Sequence, residues 1–140
     1  MSADFLDTNV FVYLLDRGDS GHRDRATEIV TAGRRRGAVI SHQVVQETLN
    51  VITRKIPFPL NASDARQFMN SVLVGFWKVQ PTNLLFSRAL DVQARYHFAF
   101  YDSLIVAAAL EAGCDRLLTE DLQHGQVIEG LTVENPFRGL

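Results

Sequence analysis

The chain has 140 residues, 46% hydrophobic and 21% charged, with a net charge of −2. Those figures suit one globular domain over 1–140 and exclude disordered, collagen-like and coiled-coil classes. A chain this long buries roughly 70% of its unfolded surface, so its core needs no disulfide staples.

Short β-like runs alternate with longer helical ones. Ala3 to Leu6 reads as a strand running into Asp7, Thr8 and Asn9. Val10 to Leu15 follows as a short helix, since all three polar residues are good N-caps. His22 to Arg36 is a helix stopped by Gly37, and Ala38 to Ser41 is a buried strand. Gln43 to Arg54 carries apolar residues at helical period. Pro57 and Pro59 interrupt the chain. Ser63 is positioned to cap a helix through Leu73 that Gly75 ends. Phe76 to Gln80 alternates like a strand. Pro81 and Thr82 open a helix to about His97. A further helix starts at Asp102 or Ser103 and runs through Leu110. Arg116 to Thr119 is a strand, and Val127 to Val133 holds a last short one.

Strands separated by helices imply crossover connections and a mostly parallel sheet, an α/β fold with helices on both faces. Ligands in such folds bind outside the carboxyl ends of the strands. The longest apolar run, Leu104 to Leu110, is seven residues, far short of the ~20 that a membrane helix needs. Met1 to Asp7 has two acids and no basic region, so no signal peptide is expected. A lone cysteine, Cys114, fits a reducing, cytoplasmic setting. Fourteen basic against sixteen acidic residues give no general affinity for nucleic acid. Any such function must come from a local site.

Four acids stand out. Asp7 ends the first strand, where it either caps the next helix or belongs to a site. Glu47 has Val44 and Val51 as helical neighbours. It either bends outward to water or lies inward, where a bare carboxylate costs several kcal/mol and implies a partner. Asp102 interrupts two apolar runs at a helix start, where an N-cap is the plain alternative. Asp121 follows a strand, where an ordinary turn residue would also fit. Gathered on one rim, four carboxylates would repel, and some would stay protonated. A hard divalent cation removes the conflict, and magnesium or manganese (Mg2+ or Mn2+) favours such oxygen ligands. An oxygen-ligand metal site activates water and orients a phosphodiester. Neither a Ser-His-Asp arrangement nor a glycine-rich phosphate loop is visible, which argues against a serine hydrolase and a P-loop enzyme.

Phe5-Leu6-Asp7-Thr8-Asn9-Val10, Ser41 through Glu47, Tyr101-Asp102-Ser103-Leu104-Ile105, Leu117 through Gly125 and Asn135-Pro136-Phe137 occur in this order. With these motifs the sequence resembles the PIN-domain family, and its length resembles the compact VapC-type toxins. Each motif is short; the order and spacing over nearly the whole chain carry the resemblance. It implies a three-layer α/β/α sandwich and a metal-dependent endoribonuclease. It places the catalytic and metal-binding acids at Asp7, Glu47, Asp102 and Asp121, with Thr8, Asn9, Ser103 and Thr119 supporting them. It also implies an RNA substrate, cleaved to leave a 5′-phosphate and a 3′-hydroxyl, and, for a toxin, an antitoxin protein that blocks the cleft.

Arg23, Arg25 and His124 are candidate RNA contacts, each with a packing role as its alternative. Arg34, Arg35 and Arg36 precede a helix stop, where cations favour the last carbonyls. The apolar residues from Phe58 to Trp77 suit a core, and some suit a homodimer face. Rival readings are a housekeeping RNA-processing nuclease, a non-catalytic binding module, a small-molecule phosphohydrolase and a DNA-cutting enzyme.

Overall fold

The computed structural model describes residues 3–140. Met1 and Ser2, which the signal-peptide and domain expectations include, lie outside the described residues. Six short strands are formed: β1 (Asp4–Leu6), β2 (Ile40–Ser41), β3 (Trp77–Val79), β4 (Arg116–Leu118), β5 (Val127–Ile128) and β6 (Leu131–Glu134). β1 pairs in parallel with β4, and β4 with β6. β2 and β3 form a second parallel pair. A bridge between Phe5 and Val39 joins the two pieces, with Leu6 N–H donating to the Val39 carbonyl at 3.0 Å. The order across the sheet is therefore β3-β2-β1-β4-β6-β5, parallel except for β5. β1, the first strand in sequence, sits in the interior of the sheet.

The helices are α1 (Thr8–Tyr13), α2 (Ser20–Arg36), α3 (His42–Arg54), α4 (Ala62–Phe68), α5 (Asn83–Tyr96) and α6 (Phe100–Glu111). α5 packs against α6, and α1 against α2 and α3. Helices flank the sheet in the expected α/β/α arrangement. α6 is buried from Ser103 through Ala109, so it is apolar on every side rather than along one stripe. The core runs from Phe5 through Val44, Leu85 and Val106 to Leu117 and Val133. Among the described residues, no helix is long and apolar enough to cross a membrane.

Three local expectations are corrected. Asn61, not Ser63, caps α4, its side chain accepting from Asp64 N–H at 2.8 Å. The helix does not continue regularly to Leu73; it widens into a π-turn over Met69–Leu73 and tightens into a 3-10 turn over Val74–Phe76. The final strand is a hairpin: Glu129 and Gly130 have φ of 51° and 89°, and two positive φ values in a two-residue loop reverse the chain with the sheet's own twist.

Candidate active site

Asp7 sits one residue beyond β1, where its backbone N–H still bonds Leu118 at 3.1 Å. It occupies the N-cap position of α1, and one carboxylate oxygen accepts from Thr8 N–H at 2.7 Å. The other accepts from the Thr119 hydroxyl, also at 2.7 Å. Asp7 therefore caps α1 and, through its second oxygen, is also tied to the residue after β4. Asp7 is only 5% exposed. Burial pushes its carboxyl up to about 7, opposed by these two hydrogen bonds and reinforced by Asp121 and Glu47.

Glu47 is held at both oxygens. Thr8 Oγ1 donates to one at 2.9 Å, and Gln43 Nε2 to the other at 2.8 Å. The inward orientation posed by the apolar helical neighbours is therefore supported by two neutral donors rather than by a cation. Asp121 N–H donates to Thr119 Oγ1 at 3.1 Å, and Asn9 Nδ2 reaches the Asp121 carboxylate at 3.4 Å. Burial raises the Asp121 carboxyl, and Asp102, Glu120 and Glu47 add to it. Burial also raises Asp102, with Glu47 adding to it.

Asp102 does not cap its helix. α6 begins two residues earlier, with Ala99 in the cap position and no side-chain cap bond. The Ser103 hydroxyl turns back to the Ala99 carbonyl at 3.0 Å. The carboxylate of Asp102 is thereby left free of backbone duty, in the first turn of a buried helix. Of the four supporting residues, Thr8, Asn9 and Thr119 bond an acid directly; Ser103 serves the helix start.

An open cleft of about 510 Å³ joins these elements, lined by Thr8, Asn9, Glu47, Asn50, Lys55 and Asp121 among others. Asp7 and Asp102 do not line it; Asp7 is tied to it through Thr8, and Asp102 is near enough to Glu47 for the two charges to oppose each other. Among the described residues, no Lys or Arg forms an ion pair with any of the four acids. Nor do any three His, Cys, Asp or Glu side chains there make a ready-made metal cage. The donor set still fits a hard cation. It consists of carboxylate and amide oxygens, and the buried Asn9 Oδ1 has no hydrogen-bond partner. Magnesium keeps several waters and needs only one or two carboxylates, so a loose acidic cluster suits it better than a closed cage.

Gln43 was not singled out by sequence. Its Nε2 bonds both Glu47 and the Tyr101 carbonyl, at 3.1 Å for the latter. It ties α3 to the peptide preceding Asp102. The available signal was its position four residues before Glu47, on the same helix face. The candidate RNA contacts have other tasks. Arg23 Nη1 bonds the Asp16 carbonyl at 3.3 Å, and Arg25 bonds the Pro136 carbonyl. His124 Nδ1 accepts from Asn135 N–H at 3.0 Å. None of the three touches any of the four acids. Arg34 donates to the Ser71 carbonyl at 3.2 Å.

The chain belongs to the PIN domain family, which matches residues 5–129. Solved structures share the fold. A toxin–antitoxin complex from Klebsiella pneumoniae is 21% identical with a TM-score of 0.70, covering 96% of this chain and 98% of that one. VapC20 of Mycobacterium tuberculosis, described as a sarcin–ricin loop cleaving toxin, is 20% identical with a TM-score of 0.64, covering 85% and 90%. FitAcB of Neisseria gonorrhoeae is 15% identical with a TM-score of 0.66, covering 96% and 99%. No curated protein matches the sequence.

Proposed function

We propose that this chain is a Mg2+- or Mn2+-dependent endoribonuclease and the toxin of a toxin–antitoxin pair. The observation that supports the chemistry is an acidic cluster at the carboxyl end of a parallel sheet, in which Glu47 lies close enough to raise Asp7, Asp102 and Asp121, with no Lys or Arg paired to these acids among the described residues. Family membership and toxin structures among the neighbours support the biological role.

Asp7 and Asp102 would hold the ion, with Glu47 and Asp121 completing its surroundings. When bound, such an ion supplies the positive charge that orients the phosphate and eases deprotonation of water. Glu47, fixed by Thr8 and Gln43, takes the proton of the attacking water. The water oxygen bonds phosphorus as the P–O3′ bond breaks, leaving a 5′-phosphate and, after protonation, a 3′-hydroxyl. Thr119 holds Asp7 and the Asp121 backbone together, so both stay in register. A second copy of the chain would pair through the exposed Leu84, Phe86 and Leu90 of α5. The stretch from Phe58 to Trp77 serves less well, because Leu73 and Phe76 are buried. A cytoplasmic setting completes the proposal.

The test is cleavage of structured RNA, single-stranded RNA and DNA with magnesium, manganese or EDTA, beside Asp7→Asn and Asp102→Asn. Metal-dependent cutting of RNA that both variants lose is expected. Cutting that survives either variant removes the site assignment. Metal binding by calorimetry without any cutting supports a binding module instead.

A further inference from the structure

Beside the acidic cleft lies a second hollow of about 430 Å³, lined by Val12, Tyr13, Arg17, Ile56, Pro57 and Phe58 among others. Val12 and Tyr13 line both hollows, so the two adjoin across these side chains. We infer that this hollow is a nucleobase subsite with Phe58 as its stacking platform. The inference rests on the nuclease reading and names where a nucleotide neighbouring the cut phosphate is held.

Phe58 is a large aromatic left 60% exposed, in the loop between α3 and α4. Arg17, from the loop after α1, stacks its guanidinium over one face of the ring, 4.7 Å from the centroid, so a base would take the other face. Among the described residues, Arg17 has no acidic partner. The one carboxylate in the hollow, Asp16, is committed to its own loop, accepting from Gly18 N–H at 2.9 Å and Asp19 N–H at 3.1 Å. The opposite wall is rigid. Tyr13 donates to Glu120 at 2.8 Å, and its ring packs against His22 and Phe137 at 4.6 and 4.7 Å. Lys55, also without an ion pair, lines the neighbouring cleft.

An exposed aromatic ring that carries a guanidinium on one face, beside the acidic cleft and its Lys55, matches the alternation of base and phosphate along a single strand. Aromatic stacking with adjacent basic groups is how such strands are held without sequence readout. An apolar peptide face would fill the hollow too, but it leaves Arg17 and Lys55 unanswered.

The experiment compares wild type, Phe58→Ala, Phe58→Trp and Arg17→Ala on an RNA that wild type cuts, and on copies carrying one abasic nucleotide at each position in turn. Phe58→Ala is expected to raise KM by roughly 5- to 100-fold with kcat nearly unchanged, and Phe58→Trp to restore it. One abasic position should raise the wild-type KM similarly and cancel the Phe58→Ala effect. Wild-type cutting with an unchanged KM in Phe58→Ala overturns the subsite alone. So does a Phe58→Ala loss that no abasic position cancels, or a Phe58→Ala defect confined to peptide binding. Wild type that cuts no RNA under any metal condition overturns the nuclease reading and the subsite with it.

Discussion

The two ends of one sheet treat acids in opposite ways. At the amino ends of β1 and β4, Arg116 donates to Asp4 through two nitrogens, at 2.9 and 2.6 Å, and reaches along the sheet to Glu134, the last residue of β6, at 3.0 Å. Those partners hold the Arg116 guanidinium above its usual range, with the Asp4 hydrogen bonds the largest cause. At the carboxyl ends, Glu47 and Asp121 share a cleft beside Asp7 and Asp102, and the hydrogen bonds to them come from neutral donors. The first end is complete as it stands. The second carries raised carboxyls at Asp7, Asp102 and Asp121, the kind of perturbation that marks candidate functional sites.

The sharpest way to break this contrast is Asp7→Asn. It should lower metal-dependent RNA cleavage by about 10³-fold or more, the scale for a group acting within a catalytic unit. The same variant should be more stable than wild type in EDTA at alkaline pH. The sign follows from the raised carboxyl. The folded Asp7 titrates near 7 against 3.8 for the free group, so the stability it contributes is present below 3.8 and is lost as pH rises through 7. Asparagine stays neutral throughout. The advantage of asparagine should grow as pH rises through the titration of Asp7 and vanish near pH 3, read as Tm against pH. An Asp7→Asn protein with an unchanged Tm at pH 8 would remove the claim of an unresolved charge.

Thr119→Val should act through its neighbours. It keeps the shape but removes the donor to Asp7 and the acceptor for Asp121 N–H. The metal concentration for half-maximal cutting should rise about 10- to 100-fold, measured by titration. Arg116→Ala should have the smallest effect and the opposite character. The Arg116 side chain is more than a third exposed, so the expected loss is about 1 kcal/mol in stability. Denaturant melts would read that loss, and cleavage should be intact. Loss of activity in this variant would mean the two ends are not separable.

Most of the architecture, and the inward placing of Glu47, were legible because they rest on local rules. A strand ending in Asp-Thr-Asn and a glutamate between Val44 and Val51 both announce their surroundings. What failed was set by tertiary context. Asp102 looked like a helix start because capping residues are usually polar, yet α6 is buried enough to begin at an alanine. The 127–133 run reads as holding one short strand, whereas Glu129 and Gly130 divide it into two. Only the paired positive φ values there reveal the reversal. The π-turn at 69–73 has no sequence signature. Gln43 was hidden because its second partner, the Tyr101 carbonyl, is 58 residues away. The hydroxyl of Thr119 reaches Asp7 across 112 residues, and there the strand-end rule sufficed.

That last separation also bears on how the chain is made. β1 has neighbours on both sides, and one of them, β4, lies in the final quarter of the sequence. A nascent chain that has left the ribosome only as far as residue 100 holds Asp7 and Glu47 but has no Thr119 to fix the first and no Asp102 or Asp121 to face them. The acidic cluster cannot be complete until the sheet closes, because contacts this far apart form only after the intervening loop entropy has been overcome. A chain stopped short of β4 should therefore be inert, whatever its other segments have already folded into.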